Sequence, residues 1–367
     1  MKTIVTLIGT RPEIIKMSPL IPRLDDTFKQ ILVHSGQHYT PNMDEVFFHE
    51  LNLRQPDFNL KSGSGYPGEQ TAKIITGFEE ILLSILPDAV IVHGDTNTTL
   101  AGALASAKHK DKSISLFHVE AGVRSFNFIQ PEEINRRLVD QVSDLLFAPF
   151  ENDGDNLINE GIPKEKIVIT QGNTIIESAA RTAKLIDDGE IMKKFDVKQK
   201  GYSLATFHRQ ETVDIKARLI HICRAIEDIA AFIPVIIPLH PRTRKMMKEF
   251  GIDFHNENII LYEPLGYLDL IGLVKNSSFI MTDSGGIQEE AAVLNIPALV
   301  LRNETEHIRY IKSGQHVLTG TVRENIVTHA RKLVDPDYKR VTQESINSNV
   351  TNIIIDKIES YLAGFIK

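Results

Sequence analysis

The sequence predicts an α/β protein with two parallel, doubly wound sheets. Short runs rich in valine and isoleucine alternate with amphipathic stretches along the chain. These runs are continuously apolar, so helices should cover both faces of each sheet. Repeated strand–helix units imply parallel strands. A chain of 367 residues exceeds the usual size of one hydrophobic core, which favours two domains.

The predicted strands fall into two groups, separated by the polar stretch 170–200. We therefore expect a first domain over residues 1–170 and a second over residues 171–349. Residues 350–367 carry apolar side chains at helical spacing and predict a final helix. The eleven predicted strands are residues 4–8, 30–34, 89–93, 115–118, 145–148, 167–169, 203–206, 235–238, 259–262, 279–282 and 298–301.

Composition argues against several classes of protein. The formal net charge of −7 leaves no basic excess for general nucleic-acid binding. No apolar run approaches the roughly 18 residues that cross a membrane, and no signal-peptide pattern is present, so we expect a cytoplasmic protein. The single cysteine, Cys223, excludes an internal disulfide and a cysteine-ligated zinc site. The chain also lacks HExxH, Walker-type and GxGxxG motifs, so no metal or nicotinamide cofactor is expected.

The turn Ser284-Gly285-Gly286 predicts an anion site. It follows a predicted strand and precedes an alanine-rich helix, which Ser284 is placed to cap. The two glycines allow a ligand to approach the backbone, and the free N–H groups and the helix dipole favour an anion such as phosphate. The alternative interpretation is a tight turn without a ligand.

Histidine and arginine side chains end two more predicted strands in the same half of the chain. His208 and Arg209 follow one strand, and His240 follows another. A lone histidine is more often a core or surface residue. The position of these side chains at successive strand ends, in the half that carries Ser284, favours a diphosphate pocket.

In the first half, Arg11 and Lys16 lie at the start of a predicted helix. Cations are poorly placed there, because the helix dipole favours them at the opposite end. An anionic ligand would explain both side chains. The alternative is that Arg11 pairs with Glu13 or Asp95.

Three carboxylates follow predicted strand ends of the first half. Asp95 comes after strand 89–93, Glu120 ends the next strand beside a glycine turn, and Glu132 begins a later helix. Carboxylates gathered in one cleft can hold a pKa high enough for acid–base catalysis. Simpler interpretations exist for two of them: Asp95 as a helix cap, and Glu132 as the partner of Arg136 in a surface ion pair.

Seven segments together resemble the non-hydrolysing UDP-N-acetylglucosamine 2-epimerase family over nearly the whole chain. Each segment is weak evidence alone, but seven in this order are highly specific. The segments are Gly9-Thr10-Arg11-Pro12-Glu13-Ile14-Ile15-Lys16, His93-Gly94-Asp95-Thr96-Asn97-Thr98, His118-Val119-Glu120-Ala121-Gly122-Val123-Arg124, Pro131-Glu132-Glu133-Ile134-Asn135-Arg136, Gln171-Gly172-Asn173-Thr174, His208-Arg209 and Thr282-Asp283-Ser284-Gly285-Gly286-Ile287-Gln288-Glu289-Glu290.

The resemblance implies the fold of the GT-B glycosyltransferases, in which two Rossmann-like domains face a deep cleft and the last helix packs back on the first domain. It also implies a reaction without nicotinamide. UDP is eliminated to leave 2-acetamidoglucal and is then re-added with C2 inverted. Such a reaction needs a diphosphate clamp, carboxylates near C2 and a site closed to water. A homodimer that serves polysaccharide biosynthesis is expected on the same grounds.

The resemblance also assigns roles to individual residues. Asp95, Glu120 and Glu132 would be the acid–base groups at C2, and His208 joins them in the catalytic set. The diphosphate would be bound by Arg11, His208, Ser284, Gly285 and Gly286, and the ribose by Glu290. Lys16 and Arg136 would support charge in the cleft. His240 completes the substrate-binding set.

Several positions depart from the simplest family pattern. Glu45 stands where members activated by a second UDP-sugar carry glutamine. A carboxylate facing a diphosphate is unfavourable, so we do not expect such activation. Residues 63–70 and 212–214 favour the branch that acts on UDP-2,3-diacetamido-2,3-dideoxyglucuronate, or archaeal members. Residues 304–309 also differ from the usual pattern.

Three other functions are compatible with parts of the sequence. A GT-B glycosyltransferase using UDP-N-acetylglucosamine would share the fold and the UDP pocket, but it would not need the three carboxylates. A hydrolysing epimerase usually carries Gly-Asp-Arg where this chain has Gly94-Asp95-Thr96. A non-catalytic UDP-sugar-binding protein would keep Ser284 and Glu290 and lose the carboxylates of the first domain.

Overall fold

The computed structural model describes residues 1–37, 41–109, 111, 113–339, 341 and 349–364, except for the side chains of residues 41–45. Two compact units make up the chain. The N-terminal unit comprises Met1–Ser178 with Asn347–Lys367, and the C-terminal unit comprises Ala179–Ile346.

The N-terminal unit contains a parallel sheet of seven strands in the order β3-β2-β1-β4-β5-β6-β7. Every neighbouring pair is parallel. The order reverses beside β1, so the polar turns after β1 and β4 lie where α/β sheets bind ligands. The strands are β1 Thr3–Ile8, β2 Lys29–His34, β3 Phe58–Asn59, β4 Ala89–His93, β5 Ser115–Val119, β6 Leu145–Ala148 and β7 Ile167–Ile169.

Helices cover this sheet, and several of them carry proline in the first turn, which its fixed φ suits. One face packs Val5, Leu7, Val90 and Val92 against side chains of the fourth and fifth helices. The helices are α1 Arg11–Met17, α2 Leu20–Thr27, α3 Pro41–Glu50, α4 Pro67–Ile85, α5 Asn97–Ala107, α6 Pro131–Val142, α7 Glu151–Asn159, α8 Thr174–Leu185 and the last helix, α17 Val350–Leu362.

The last helix belongs to the N-terminal unit. It packs against α2, and the ring of Tyr361 lies 5.2 Å from the ring of Phe117 on β5. Its first turn is capped from α8, because Glu177 accepts hydrogen bonds from the backbone N–H and the hydroxyl of Thr351. The chain therefore returns to the unit in which it began.

The C-terminal unit contains a parallel sheet of six strands in the order β10-β9-β8-β11-β12-β13. Consecutive residues Leu204 and Ala205 point into different apolar clusters, so both faces of the sheet are buried under helices. The strands are β8 Ser203–Thr206, β9 Val235–Pro238, β10 Ile259–Tyr262, β11 Ile280–Thr282, β12 Ala298–Val300 and β13 His316–Leu318. The helices are α9 Asp188–Lys194, α10 Gln210–Val213, α11 Lys216–Ala230, α12 Pro241–Phe250, α13 Tyr267–Asn276, α14 Gly285–Val293, α15 Ile308–Lys312 and α16 Arg323–Val334.

The predicted α/β class with parallel sheets is confirmed, and all eleven predicted strands are present within a residue or two of their expected ends. The sequence did not predict β3 and β13, which are edge strands of two and three residues. Neither has enough apolar residues to stand out as a run. No helix in the described part of the chain is long and apolar enough to cross a membrane.

Candidate active site

The turn between β1 and α1 is organised by a buried carboxylate, Glu13. It accepts hydrogen bonds from the backbone N–H groups of Gly9 and Thr10 at 2.9 and 2.7 Å, and from the Thr96 hydroxyl at 2.9 Å. Burial raises the pKa of Glu13 to about 7, although these hydrogen bonds oppose the rise. Glu13 thus ties the turn after β1 to the turn after β4.

This arrangement does not support the alternative interpretation, in which Arg11 pairs with Glu13 or Asp95. Glu13 is hydrogen-bonded to the two turns, and Asp95 pairs with a different arginine, Arg136. The guanidinium of Arg11 instead lies 5.5 Å from the centre of the Phe47 ring on α3. The Arg11 side chain therefore contacts α3, while a separate network shapes the turn after β1.

Glu120 immediately follows β5 and binds two donors through one oxygen. Its Oε2 accepts hydrogen bonds from Lys16 Nζ at 2.6 Å and from Asn173 Nδ2 at 2.5 Å. Burial would raise the pKa of Glu120, but Lys16, His93 and Asn173 lower it to about 2. The structure thus brings together Lys16 and Glu120, which the sequence placed far apart along the chain.

Asp95 follows β4 and forms an ion pair with Arg136 on α6. Arg136 also binds Glu133 at 2.8 Å, and the side chain of Asn135 donates to the Asp95 carbonyl at 2.9 Å. Two residues of α6 therefore anchor the Asp95 turn. Because β4 and β5 are neighbours with His93 opposite Val119, Asp95 and Glu120 emerge at the same edge of the sheet.

The two adjacent glutamates of α6 have opposite environments. Glu132 is exposed and makes no hydrogen bond or ion pair within the described residues, so the simpler interpretation, an ion pair with Arg136, is wrong. Glu133 is fully buried and accepts hydrogen bonds from Ser125 N at 2.9 Å and from Arg136 and Arg137. Burial opposes ionisation of Glu133, but these donors lower its pKa to about 2. Glu132 is free to meet a ligand, whereas Glu133 is structural.

A second buried network supports the turns that carry Asp95 and Glu120. His118 contacts the Gly94 carbonyl through Nε2 at 2.8 Å and Asp140 through Nδ1 at 2.6 Å. Asp140 also pairs with Arg124 at 2.7 Å. Gly122 has a φ of +78°, and a Cβ there would lie 2.2 Å from the Asp153 carbonyl, so only glycine fits.

In the C-terminal unit, Asp283 organises the ends of β8 and β11. It is fully buried and accepts hydrogen bonds from the backbone N–H groups of His208, at 3.0 and 3.1 Å, and of Arg209, at 2.9 Å. The His208 ring stacks on the ring of His240, with 4.9 Å between centres. Burial lowers the pKa of His208, so its ring favours the neutral form. The structure therefore brings together the two predicted histidines.

The Ser284-Gly285-Gly286 turn begins α14 at the end of β11, as expected. Ser284 occupies the N-cap position, but its side chain makes no capping hydrogen bond, so the expected cap is wrong. The space in which a Cβ of Gly286 would lie has no atom within 4 Å. The start of α14 is thus open at Gly286, where a ligand could reach the backbone.

An acidic and basic cluster that the sequence did not indicate lies beside Gly285. A Cβ on Gly285 would lie 2.9 Å from both Glu306 Oε1 and His307 Nε2. Glu306 binds Arg302 at 2.7 Å and lies 3.5 Å from Arg209. Burial opposes ionisation, but His307, Arg302 and Arg209 hold the pKa of Glu306 well below its usual range. The departure noticed at residues 304–309 was the only sequence signal for this cluster.

The remaining predicted residues divide by exposure. Glu290 lies on α14 and is 3% exposed, whereas the His240 side chain is exposed at the start of α12. The side chain of Glu45, on which the expectation about activation depends, lies outside the described residues. Across the described ranges, no three histidine, cysteine or acidic residues are grouped to hold a metal ion.

Comparison with known proteins identifies the family. A family model for UDP-N-acetylglucosamine 2-epimerase matches residues 23–358. The UDP-N-acetylglucosamine 2-epimerase of Methanococcus maripaludis is 45% identical over 336 residues, which cover 89% of this chain and 90% of that protein. The UDP-2,3-diacetamido-2,3-dideoxy-D-glucuronate 2-epimerase of Pseudomonas aeruginosa is 40% identical over 332 residues, covering 89% of this chain and 91% of that protein.

A solved structure extends the match to the fold. The crystal structure of the Methanocaldococcus jannaschii UDP-GlcNAc 2-epimerase in complex with UDP-GlcNAc and UDP has a TM-score of 0.85 and 41% identity, covering 98% of this chain and 100% of that chain. These matches confirm both the predicted resemblance and the predicted GT-B-like two-domain fold. The chain belongs to the UDP-N-acetylglucosamine 2-epimerase family.

Proposed function

We propose that this protein is a non-hydrolysing epimerase that inverts C2 of a UDP-activated N-acetylated sugar. The observation that carries the proposal is the pair Asp95 and Glu120, which leave neighbouring strands at one edge of the N-terminal sheet. Each carboxylate is held by a cation from a different helix, Arg136 on α6 and Lys16 on α1. The cations fix the positions of the two carboxylates for proton transfer at a single carbon, and Glu120 acts as a base once Lys16 is drawn away from it.

The reaction consists of an elimination followed by an addition. A carboxylate takes the proton from C2, the C2–H electron pair forms the C1=C2 double bond, and the C1–O bond breaks with its electrons leaving on UDP. UDP then adds back to C1 while a proton reaches C2 from the opposite face. Asp95, Glu120 and the exposed Glu132 are the three proposed acid–base groups.

The diphosphate is the leaving group and must be retained between the two steps. We assign its binding to the open start of α14, where Gly286 leaves the backbone accessible, with Ser284 and Gly285 beside it. The first N–H groups of a helix have no partners inside the helix and attract anions. His208 joins this clamp from the end of β8. Glu290 is proposed to bind the ribose.

Two substrates are supported by the relatives, UDP-N-acetylglucosamine and UDP-2,3-diacetamido-2,3-dideoxyglucuronate. The test incubates the purified protein with each nucleotide sugar separately and follows the sugar proton spectrum by NMR. The proposal predicts conversion of one of them to its C2 epimer, with UDP still attached, up to an equilibrium mixture.

Other outcomes of this assay would contradict the proposal in distinct ways. Release of free N-acetylmannosamine and UDP would indicate a hydrolysing epimerase. Transfer of the sugar to an added acceptor, without epimerisation, would indicate a glycosyltransferase. Binding without any conversion of either sugar would indicate a non-catalytic protein. The described carboxylate and cation pairs favour the epimerase, because a transferase has no need of them.

The homodimer, the cytoplasmic location and the role in polysaccharide biosynthesis stay predictions. Light scattering coupled to size-exclusion chromatography tests the first of these. We expect about twice the 41.2 kDa mass of one chain. A single species with the mass of one chain would contradict the homodimer.

A further inference from the structure

Glu120 has an unusual backbone conformation directly after β5. Its φ is +70°, a region that side-chain-bearing residues seldom adopt outside constrained sites. Its Oε2 already accepts hydrogen bonds from Lys16 and Asn173. The ring of His93 lies beside the same oxygen, with Nε2 at 3.6 Å, which is too long for a hydrogen bond.

His93 is the last residue of β4 and is almost completely buried. Its side chain is 2% exposed, and neither ring nitrogen has a hydrogen-bond partner among the described residues. Burial lowers the pKa of His93 to about 3, opposed by Glu120 and assisted by Lys16 and His118, so the ring is neutral. Buried polar side chains are normally hydrogen-bonded, so a neutral ring beside a proposed catalytic carboxylate requires an explanation.

The proposed substrate supplies that explanation through its charge. An anionic substrate bound beside Glu120 would compete with this carboxylate for the ammonium group of Lys16. As long as Lys16 stays on Glu120, the carboxylate is stabilised in its charged form and is a poor base. Once Lys16 moves toward the substrate, Glu120 becomes a better base but loses one of the donors that hold it in place.

We propose that His93 is a positioning residue that donates a hydrogen bond from Nε2 to Glu120 when substrate is bound. The two atoms are 3.6 Å apart, and an approach of about 0.5 Å would bring them within hydrogen-bond distance. Because the His93 ring is neutral, it orients the carboxylate without the positive charge that suppresses proton uptake. This role rests on the proposed epimerase function and assigns His93 no direct contact with the sugar.

Substitution separates this role from simple packing. His93→Met fills the cavity without a donor, whereas His93→Gln places an N–H donor near the position of Nε2. We expect His93→Met to lower kcat at least tenfold, with KM changed less than about threefold, since loss of acid–base positioning acts on the chemical step. His93→Gln should restore most of kcat. His109→Met is the control, because His109 pairs with Glu79 and should leave both constants unchanged.

The pH profile gives a second readout that packing would not change. A hydrogen bond to a carboxylate favours its charged form, so removing the bond raises the pKa of Glu120. The rise of kcat with pH that reflects ionisation of Glu120 should therefore move to higher pH in His93→Met. In His93→Gln it should lie close to its wild-type position. Equal rates in the Met and Gln variants, or a His93→Met enzyme with wild-type kcat and pH profile, would overturn the proposal.

A third measurement does not require turnover. Histidine labelled with ¹⁵N reports which ring nitrogen carries the proton, and the His93→Gln spectrum identifies the His93 signals. With saturating UDP we expect Nε2 to be protonated and its proton to exchange slowly. An unprotonated Nε2 in the UDP complex would refute the assignment. This measurement needs only UDP and no turnover of a sugar. Its result therefore does not depend on whether the protein is an epimerase.

Discussion

At the scale of single residues, the clearest contrast lies between the adjacent glutamates of α6. Glu132 is exposed and makes no contact with a charged partner in the described part of the chain, whereas Glu133 is buried under two arginines. We predict that Glu133→Gln lowers the free energy of unfolding by about 1–3 kcal/mol, because a charged hydrogen-bond acceptor is lost. Glu132→Gln should leave stability unchanged. Urea denaturation of the two variants checks this, and equal stability losses would contradict the assignment.

The three proposed acid–base residues predict how substitutions affect activity. Asp95→Asn, Glu120→Gln and Glu132→Gln keep the shape of each side chain and remove the acid–base group. We expect each to lower epimerisation at least about a hundredfold, the usual scale for general acid–base catalysis. UDP binding, followed by calorimetry, should stay near the wild-type value. A Glu132→Gln enzyme with full activity would remove Glu132 from the catalytic set.

Glu13 predicts a pH dependence of stability. Its folded pKa of about 7 lies above its ordinary value of 4.5, so the folded state binds the proton more tightly than the unfolded state. This contribution is fully present below pH 4.5 and is lost as the pH rises to about 7. Glu13→Gln removes it, so the variant should gain stability relative to wild type between pH 5 and pH 8, by up to about 3 kcal/mol. Urea denaturation of the wild type and of Glu13→Gln at pH 5 and pH 8 measures this change in relative stability. The same pH dependence in both proteins would contradict the prediction.

Candidate site residues could be picked from the sequence only where a motif marks them. Ser284, Glu120 and Asp95 stand in recognisable turns, whereas Glu132 was separated from Glu133 only by the family resemblance and not by composition or helical spacing. Their difference comes from the helical position that turns one side chain toward Ser125. Glu13 and His93 lie within these motifs, but their burial could not be predicted from the sequence, because it depends on the packing of several turns at once.

At the scale of elements, the start of α14 carries the proposed diphosphate site. Gly286→Ala adds a methyl group where no atom lies within 4 Å, so folding should be unaffected or slightly favoured. The methyl group blocks close approach to the backbone, and we expect UDP affinity to fall at least about tenfold if a charged hydrogen bond is lost. Calorimetry with UDP measures the effect.

Gly68 is the matched control for this prediction. It also lies in the first turn of a helix, α4, with no atom within 4 Å of an added Cβ. Gly68→Ala should leave UDP affinity unchanged. If Gly286→Ala bound UDP as tightly as Gly68→Ala, the start of α14 would not be the diphosphate site.

The elements themselves were predictable because their apolar runs are unambiguous. The central strands β1, β4 and β5 are buried along nearly their whole length, and such strands consist of consecutive apolar residues. The edge strands β3 and β13 lack this signal. β3 is exposed at both residues, and β13 begins with a histidine.

At the scale of the whole molecule, the chain folds as two parallel α/β units, and its last helix returns to the first of them. Chain length and the grouping of the strands along the sequence predicted the two units, and the family resemblance supplied the return of the helix. The unit boundary lies inside α8, after Ser178, where no change in composition marks it. Because helix α8 continues across this boundary, no loop marks it. The boundary predicted from the polar stretch, between residues 170 and 171, therefore lies earlier in the chain.

The central claim is that C2 is inverted by elimination and re-addition of UDP through carboxylates in contact with solvent. Turnover of the nucleotide sugar in D₂O, followed by NMR of the C2 proton, tests it most directly. We predict that deuterium from the solvent appears at C2 of the epimerised product during turnover, and that Glu120→Gln slows its appearance together with epimerisation. Inversion of C2 without deuterium incorporation would contradict the mechanism and the roles of all three carboxylates.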